Sequence, residues 1–165
     1  MAGDKQATMK TFNRRAMLGV VPTAFALAAV ATQGTVAVAT PASDKLLGIN
    51  RSPATNKIAS LAVRHGNVLY MSGVEAADLT ADFVGQTKQI FTRIEGALAA
   101  FGTSKDNLLA VTILAKSITN KPAFNEAWIA WLGGAGLPAR VFSVVADLDP
   151  GCLVEIQVTA ACPPA

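Results

Sequence analysis

Histidine is nearly missing from this chain: His65 is the only one, and the cysteines number two, Cys152 and Cys162. That scarcity leaves little support for a zinc site or a Cys–His nucleophile, both of which draw on several such side chains. It also denies a nuclease the pair of histidines that general acid–base cleavage would use. Ten residues of extended chain between the cysteines span roughly 33 Å, far beyond disulfide reach. They read as separate thiols at the two ends of one strand. A long unbroken apolar run is absent as well. The stretch from Val20 to Val30 is interrupted at Pro22 and Thr23 and followed by Thr32, Gln33 and Gly34, short of the roughly 20 residues a membrane span requires.

What stands at the N-terminus is a twin-arginine pattern, Thr11-Phe12-Asn13-Arg14-Arg15-Ala16-Met17-Leu18, then the alanine-rich apolar run, then Ala37-Val38-Ala39 with small residues for a signal peptidase. Charged start, apolar middle and small-residue end make residues 1–39 an export signal of the twin-arginine type, with Thr40 as the new N-terminus. The expected location is periplasmic or secreted, with no membrane attachment after cleavage. Of 14 basic and 11 acidic side chains, four and one lie in 1–39, which leaves ten of each in the mature chain. The sequence pI of about 9.1 therefore belongs largely to the signal. No basic stripe remains for a phosphate backbone, and no nucleic-acid partner is expected.

Along the mature chain, 40–57 is rich in Pro, Ser, Asn and Lys and reads as a leader arm or loop, ahead of a domain over 58–165. Two short β-leaning runs, Ile58 to Arg64 and Val68 to Val74, flank His65-Gly66-Asn67 and predict a hairpin. From Thr80, taken as the cap, the period becomes helical. Phe83, Ile90, Ile94, Ala97, Leu98 and Phe101 share a face, Gln86 and Lys88 lie elsewhere, and Gly102 ends the helix. Leu108 to Ala115 is apolar on both sides and predicts an interior strand. Asn120 is read as the cap of a second helix whose stripe is Phe124, Ala127, Trp128, Trp131 and Leu132. Gly133-Gly134-Ala135-Gly136 follows a helix, not a strand, so it is no phosphate cradle.

The chain then centres on Leu137-Pro138-Ala139-Arg140, its run Val141-Phe142-Ser143-Val144-Val145-Ala146 and, past a turn, Leu153-Val154-Glu155-Ile156. A charged side chain in such strands is costly unless paired or bound. Two strands joined by a tight turn would bring Arg140 and Glu155 together. The guanidinium fork suits a small carboxylate, and the glutamate could move a proton. The alternative is a strand-end arginine neutralised by its neighbouring glutamate, and spacing alone does not choose between them. The element order β-β-α-β-α-β-β predicts an α+β fold, a mixed sheet with two helices on one face. The other face, assigned Val144, Ala146, Val154 and Ile156, would be covered by subunit association.

The segments Val68-Leu69-Tyr70-Met71-Ser72-Gly73, Gln86-Thr87, Asn125-Glu126-Ala127-Trp128, Pro138-Ala139-Arg140 and Val154-Glu155-Ile156 together resemble the reactive intermediate deaminase family (Rid, or YjgF-type), over about residues 50–162. The resemblance implies a chorismate-mutase-like fold, a homotrimer with clefts between neighbouring subunits, and hydrolysis of small 2-imino acids to 2-oxo acids and ammonia without metal or cofactor. It assigns Arg140 to the substrate carboxylate and Glu155 to the attacking water, with Ser72, Gly73 and Asn125 lining the cleft. The family's cleft tyrosine and cysteine are replaced by Ala59 and Phe142, and Ser143 stands for an apolar residue. These departures imply a divergent branch, with Phe142 a further lining residue. The competing expectation is a noncatalytic trimer that binds small carboxylates.

Overall fold

The structure is a computed structural model and describes residues 42–53 and 58–164; residues 1–39, read from the sequence as an export signal, lie outside them. A short helix α1 (Ala42–Leu46) leads into β1 (Ile49–Arg51), β2 (Ala62–His65), β3 (Val68–Met71), α2 (Phe83–Ala100), β4 (Leu108–Ala115), α3 (Lys121–Leu132), β5 (Ala139–Val144) and β6 (Val154–Ala161). The segment read as a leader arm thus holds a helical turn and an edge strand. Asp44 accepts from the Arg51 Nε at 2.6 Å and ties the two together. Among the described residues no helix is long and apolar enough to cross a membrane.

The strands form one six-stranded sheet in the order β1-β2-β3-β6-β4-β5. β2 and β3 make the expected hairpin, closed at the His65–Val68 pair with Gly66 at a φ of 57°, a backbone angle that glycine reaches without Cβ strain. β4 pairs with β5 in parallel and with β6 antiparallel. The last strand therefore enters the middle of the sheet, and β5 and β6, neighbours in sequence, are held apart by β4. The expectation that a tight turn would place Arg140 beside Glu155 fails for that reason.

Both long helices cover one face. Val111, Ile113, Ala115, Val154, Ile156, Val158 and Ala160 are at most 2% exposed beneath Ile90, Ile94, Leu98 and Phe124. Val154 and Ile156, read as belonging to the uncovered face, are in this core. With a period of two, a strand assigned one residue out of step turns every side chain to the wrong side. Val144 pairs with core-facing Ala115 at the sheet edge, so it too was misassigned. The open face carries Tyr70, Thr112, Val141, Glu155 and Thr159 instead, by their pairings on β3, β4, β5 and β6.

Two caps also differ from the expected ones. Asp82, not Thr80, opens α2 by accepting from the Gly85 amide at 2.7 Å, while Thr80 bonds Asp78. Asn120 is already in helical conformation at the end of a 3-10 turn and makes no side-chain cap. Gln86, assigned to an outer face of α2, is fully buried. Its Nε2 donates to the carbonyls of Leu79, Ala81 and Gly151, and its Oε1 accepts from the Leu153 amide at 2.9 Å. A glutamine can be buried at low cost only when its amide is satisfied in this way. The bonds clamp the turn Asp149-Pro150-Gly151-Cys152, where Gly151 has a φ of 85°, to the start of α2.

Candidate functional site

Arg140 sits on β5, the outermost strand beyond β4, in register with Val111. It therefore points to the helix-covered side, at the rim of the core. There its Nη2 donates to the Asn125 Oδ1 at 2.8 Å. Its guanidinium carbon lies 5.7 Å from the Phe124 ring centroid and 5.5 Å from that of Trp128, within cation–π range. Among the described residues no carboxylate lies within ion-pair distance of it. A guanidinium has five N–H donors, so one oriented by an amide and two aromatic faces retains donors for an incoming anion.

Asn125, Trp128 and Ile129 stand at i, i+3 and i+4 on α3 and so share a face. With Leu137, Pro138 and Arg140 they line an open pocket of about 350 Å³. Phe142, two residues beyond Arg140, packs edge-on against Phe124 at 5.5 Å between ring centroids, with the Lys121 Nζ 5.8 Å from its ring. It is turned under α3, not into that pocket.

Glu155 is in register with Leu114 on β4, three residues along from Arg140's partner Val111. It faces the open side of the sheet. Its carboxylate lies against Gly73: a Cβ built there would sit 1.4 Å from the Glu155 Oε1, so only a glycine leaves the carboxylate its place. Val74 bridges to Ile156 through paired backbone bonds and fixes this crossing. Burial, and the nearby charges of Glu75 and Asp149, raise the Glu155 carboxyl above the ordinary carboxylate range. A carboxylic acid that keeps its proton to higher pH is better suited to giving and taking one. Ser72 precedes Gly73, and its Oγ donates to the Ser60 carbonyl at 2.6 Å.

The six residues singled out in the sequence thus fall into two groups. Arg140, Asn125 and Phe142 are together beside α3; Glu155, Gly73 and Ser72 are together on the other side of the sheet. Glu75 was missed, and Gln86, quoted among the residues that carry the resemblance, was given no buried role. Glu75 lies two residues past Gly73, in a segment without periodicity. Gln86 was hidden by the rule that polar residues on an amphipathic helix face water. Both cysteines are free and buried. The Cys152 thiol donates to the Val154 carbonyl, and burial with the nearby Glu75 pushes its pKa up to about 11. Tyr70 is 52% exposed on the open face.

Residues 49–162 match the family model described as Endoribonuclease L-PSP. A RutC family protein of Haemophilus ducreyi is 29% identical over 113 residues, 68% of this chain and 96% of its own length. Among solved structures, an uncharacterized protein from Pseudomonas aeruginosa superposes with a TM-score of 0.66 at 30% identity, over 70% of this chain and 99% of that one. A protein of the conserved Rid family, YyfA of Yersinia pestis, gives 0.63 at 32% identity over 67% and 93%. A match across both halves of the site, from the edge strand β1 to the last turn past β6, makes this chain a member of the Rid (YjgF, RutC) family, the one the L-PSP model describes.

Proposed function

We propose that the mature chain is an exported enamine/imine deaminase of the Rid family that hydrolyses small 2-imino acids to 2-oxo acids and ammonia. The observation that carries this reading is the state of Arg140: oriented by Asn125 and two rings, with no acidic partner among the described residues. A bidentate hydrogen bond from its fork would hold the substrate carboxylate. Glu155 would take a proton from the attacking water as a new C–O bond forms and the C=N π pair moves to nitrogen, and deliver it there. It would then carry the hydroxyl proton of this carbinolamine to the same nitrogen as C=O forms and the C–N bond breaks, releasing ammonia. The imine carbon is already electrophilic, so orientation and one proton carrier suffice for most of the acceleration.

Because the two charged groups face opposite sides of one sheet, a cleft that uses both needs Arg140 from one copy and Glu155 from the next. A homotrimer with three such clefts meets this requirement and covers the open face. The test is complementation. Arg140→Ala and Glu155→Ala proteins, each inactive alone, are unfolded, mixed in equal amounts and refolded. Every mixed trimer then carries one cleft with both groups intact, and about one quarter of wild-type activity returns. No recovery overturns the shared cleft.

The absence of the cleft tyrosine and cysteine, with Ala59 and Phe142 at their positions, favours a second reading as a noncatalytic carboxylate-binding trimer. Stabilisation by 2-oxo acids with imine loss no faster than in buffer would select it. The nuclease activity in the family model's description draws no support from a near-neutral mature chain whose one histidine is exposed at a hairpin end. Export is tested by sequencing the N-terminus of the protein recovered outside the cytoplasm; a start at Thr40 is expected.

A further inference from the structure

The pocket beside Arg140 has an apolar wall that capture of a carboxylate does not explain. Leu137 is 85% exposed and Ile129 70% exposed, two large aliphatic side chains on the surface next to an arginine. Trp128, Pro138 and the stem of Arg140 complete the wall, and Asn125 closes the polar end. At about 350 Å³ the hollow is within the roughly 300–1,000 Å³ range of small-molecule sites, and a three-carbon acid would fill only part of it. Its one charged group stands at one end, which sets the direction of a guest. A carboxylate on the guanidinium places the carbons beyond the reacting centre within a few bonds of Leu137, Ile129 and Trp128.

We infer that the substrates of this chain are 2-imino acids with a branched or extended apolar side chain, four or more carbons beyond the carboxylate, whose tail is held by Leu137, Ile129 and Trp128. The inference rests on the deaminase reading of Arg140 and deepens it by naming the substrate class. The proximal end supplies charge recognition common to every imino acid. The distal wall supplies discrimination, because burying added methylene groups favours the longer side chain while the short one leaves the wall wet. Leu137 and Ile129 lie outside the buried core, so they can be exchanged without threatening the fold.

The test generates 2-iminopropanoate and 4-methyl-2-iminopentanoate in place, from alanine and leucine with an amino-acid oxidase, and compares kcat/KM for the mature full chain. The branched substrate is expected to be favoured by at least about tenfold, and the ratio should fall toward one in Leu137→Ser and Ile129→Ser. Equal rates, a preference for iminopropanoate, or a ratio unmoved by both substitutions overturns the inference. If neither imine is hydrolysed faster than in buffer, the deaminase reading fails and binding of the product acids decides the pocket separately. Tighter binding of 4-methyl-2-oxopentanoate than of pyruvate, lost in Leu137→Ser, then supports the apolar wall; equal affinities overturn it.

Discussion

Arg140 and Glu155 project from opposite faces of the same sheet. Arg140 is registered on Val111 and Glu155 on Leu114 of the strand between them. Each is a charged group without an oppositely charged partner within ion-pair distance among the described residues. Neither can neutralise the other within one protomer. The bland reading of the pair as a self-satisfied strand-end salt bridge is thereby removed, and each charge is left available to a guest or to another copy.

Arg140→Lys keeps the charge and loses the planar fork. A lysine cannot bond Asn125 and also present two parallel donors to a carboxylate. Catalytic efficiency on imino acids should fall by about 100-fold, with the melting temperature changed by only a few degrees. Steady-state kinetics beside a thermal melt checks both.

Gly73→Ala tests the close approach of Glu155. The new methyl would occupy the position of the Oε1, and the flexible end of the glutamate must swing aside. The stability cost should be small, about 1 kcal/mol, because the obstacle is a movable side chain. Activity should nonetheless drop by at least about tenfold, since the proposed proton carrier is displaced. Loss of folding together with activity would contradict this account.

The raised proton affinity of Glu155 has a signed consequence for stability. Between the ordinary carboxyl value and the higher folded value, the native state holds more protons than the unfolded chain, so stability declines as pH rises through that window. Glu155→Gln removes the penalty. In an Arg140→Ala background, free of any arginine contributed by a neighbouring copy, the glutamine variant should melt higher than its parent at about pH 8 and alike at about pH 3.5. A higher parent melting temperature at the alkaline end would refute the assigned direction.

Gln86→Met keeps the length of the side chain and removes its amide. The Leu153 amide and the Gly151 carbonyl lose their partner in a part-buried place, at a cost of about 1–3 kcal/mol. Urea unfolding should show a lower midpoint with an unchanged slope.

Cys152, fully buried and with its pKa at about 11, is held as a neutral thiol, which is a poor nucleophile. Iodoacetamide at about pH 8 should leave it unmodified in the native protein and label it only in denaturant. Mass spectrometry of the native digest reads this directly.

Much of the architecture was legible from periodicity. The α2 and α3 stripes, the β2–β3 hairpin around Gly66 and the doubly apolar β4 follow from side-chain spacing, because local geometry repeats every 3.6 or two residues whatever the rest of the chain does. The separation of the cysteines follows in the same way from strand length. Strand order does not. Nothing local records that β6 returns between β3 and β4, for that pairing joins residues distant in sequence, and with it went the face of Val154, the distance of Arg140 from Glu155 and the burial of Gln86. Residue types alone marked which side chains could carry the chemistry; only long-range pairing decided that they stand on opposite sides of the sheet, since a strand's neighbours, and not its own sequence, set the direction in which a charged side chain finds a partner.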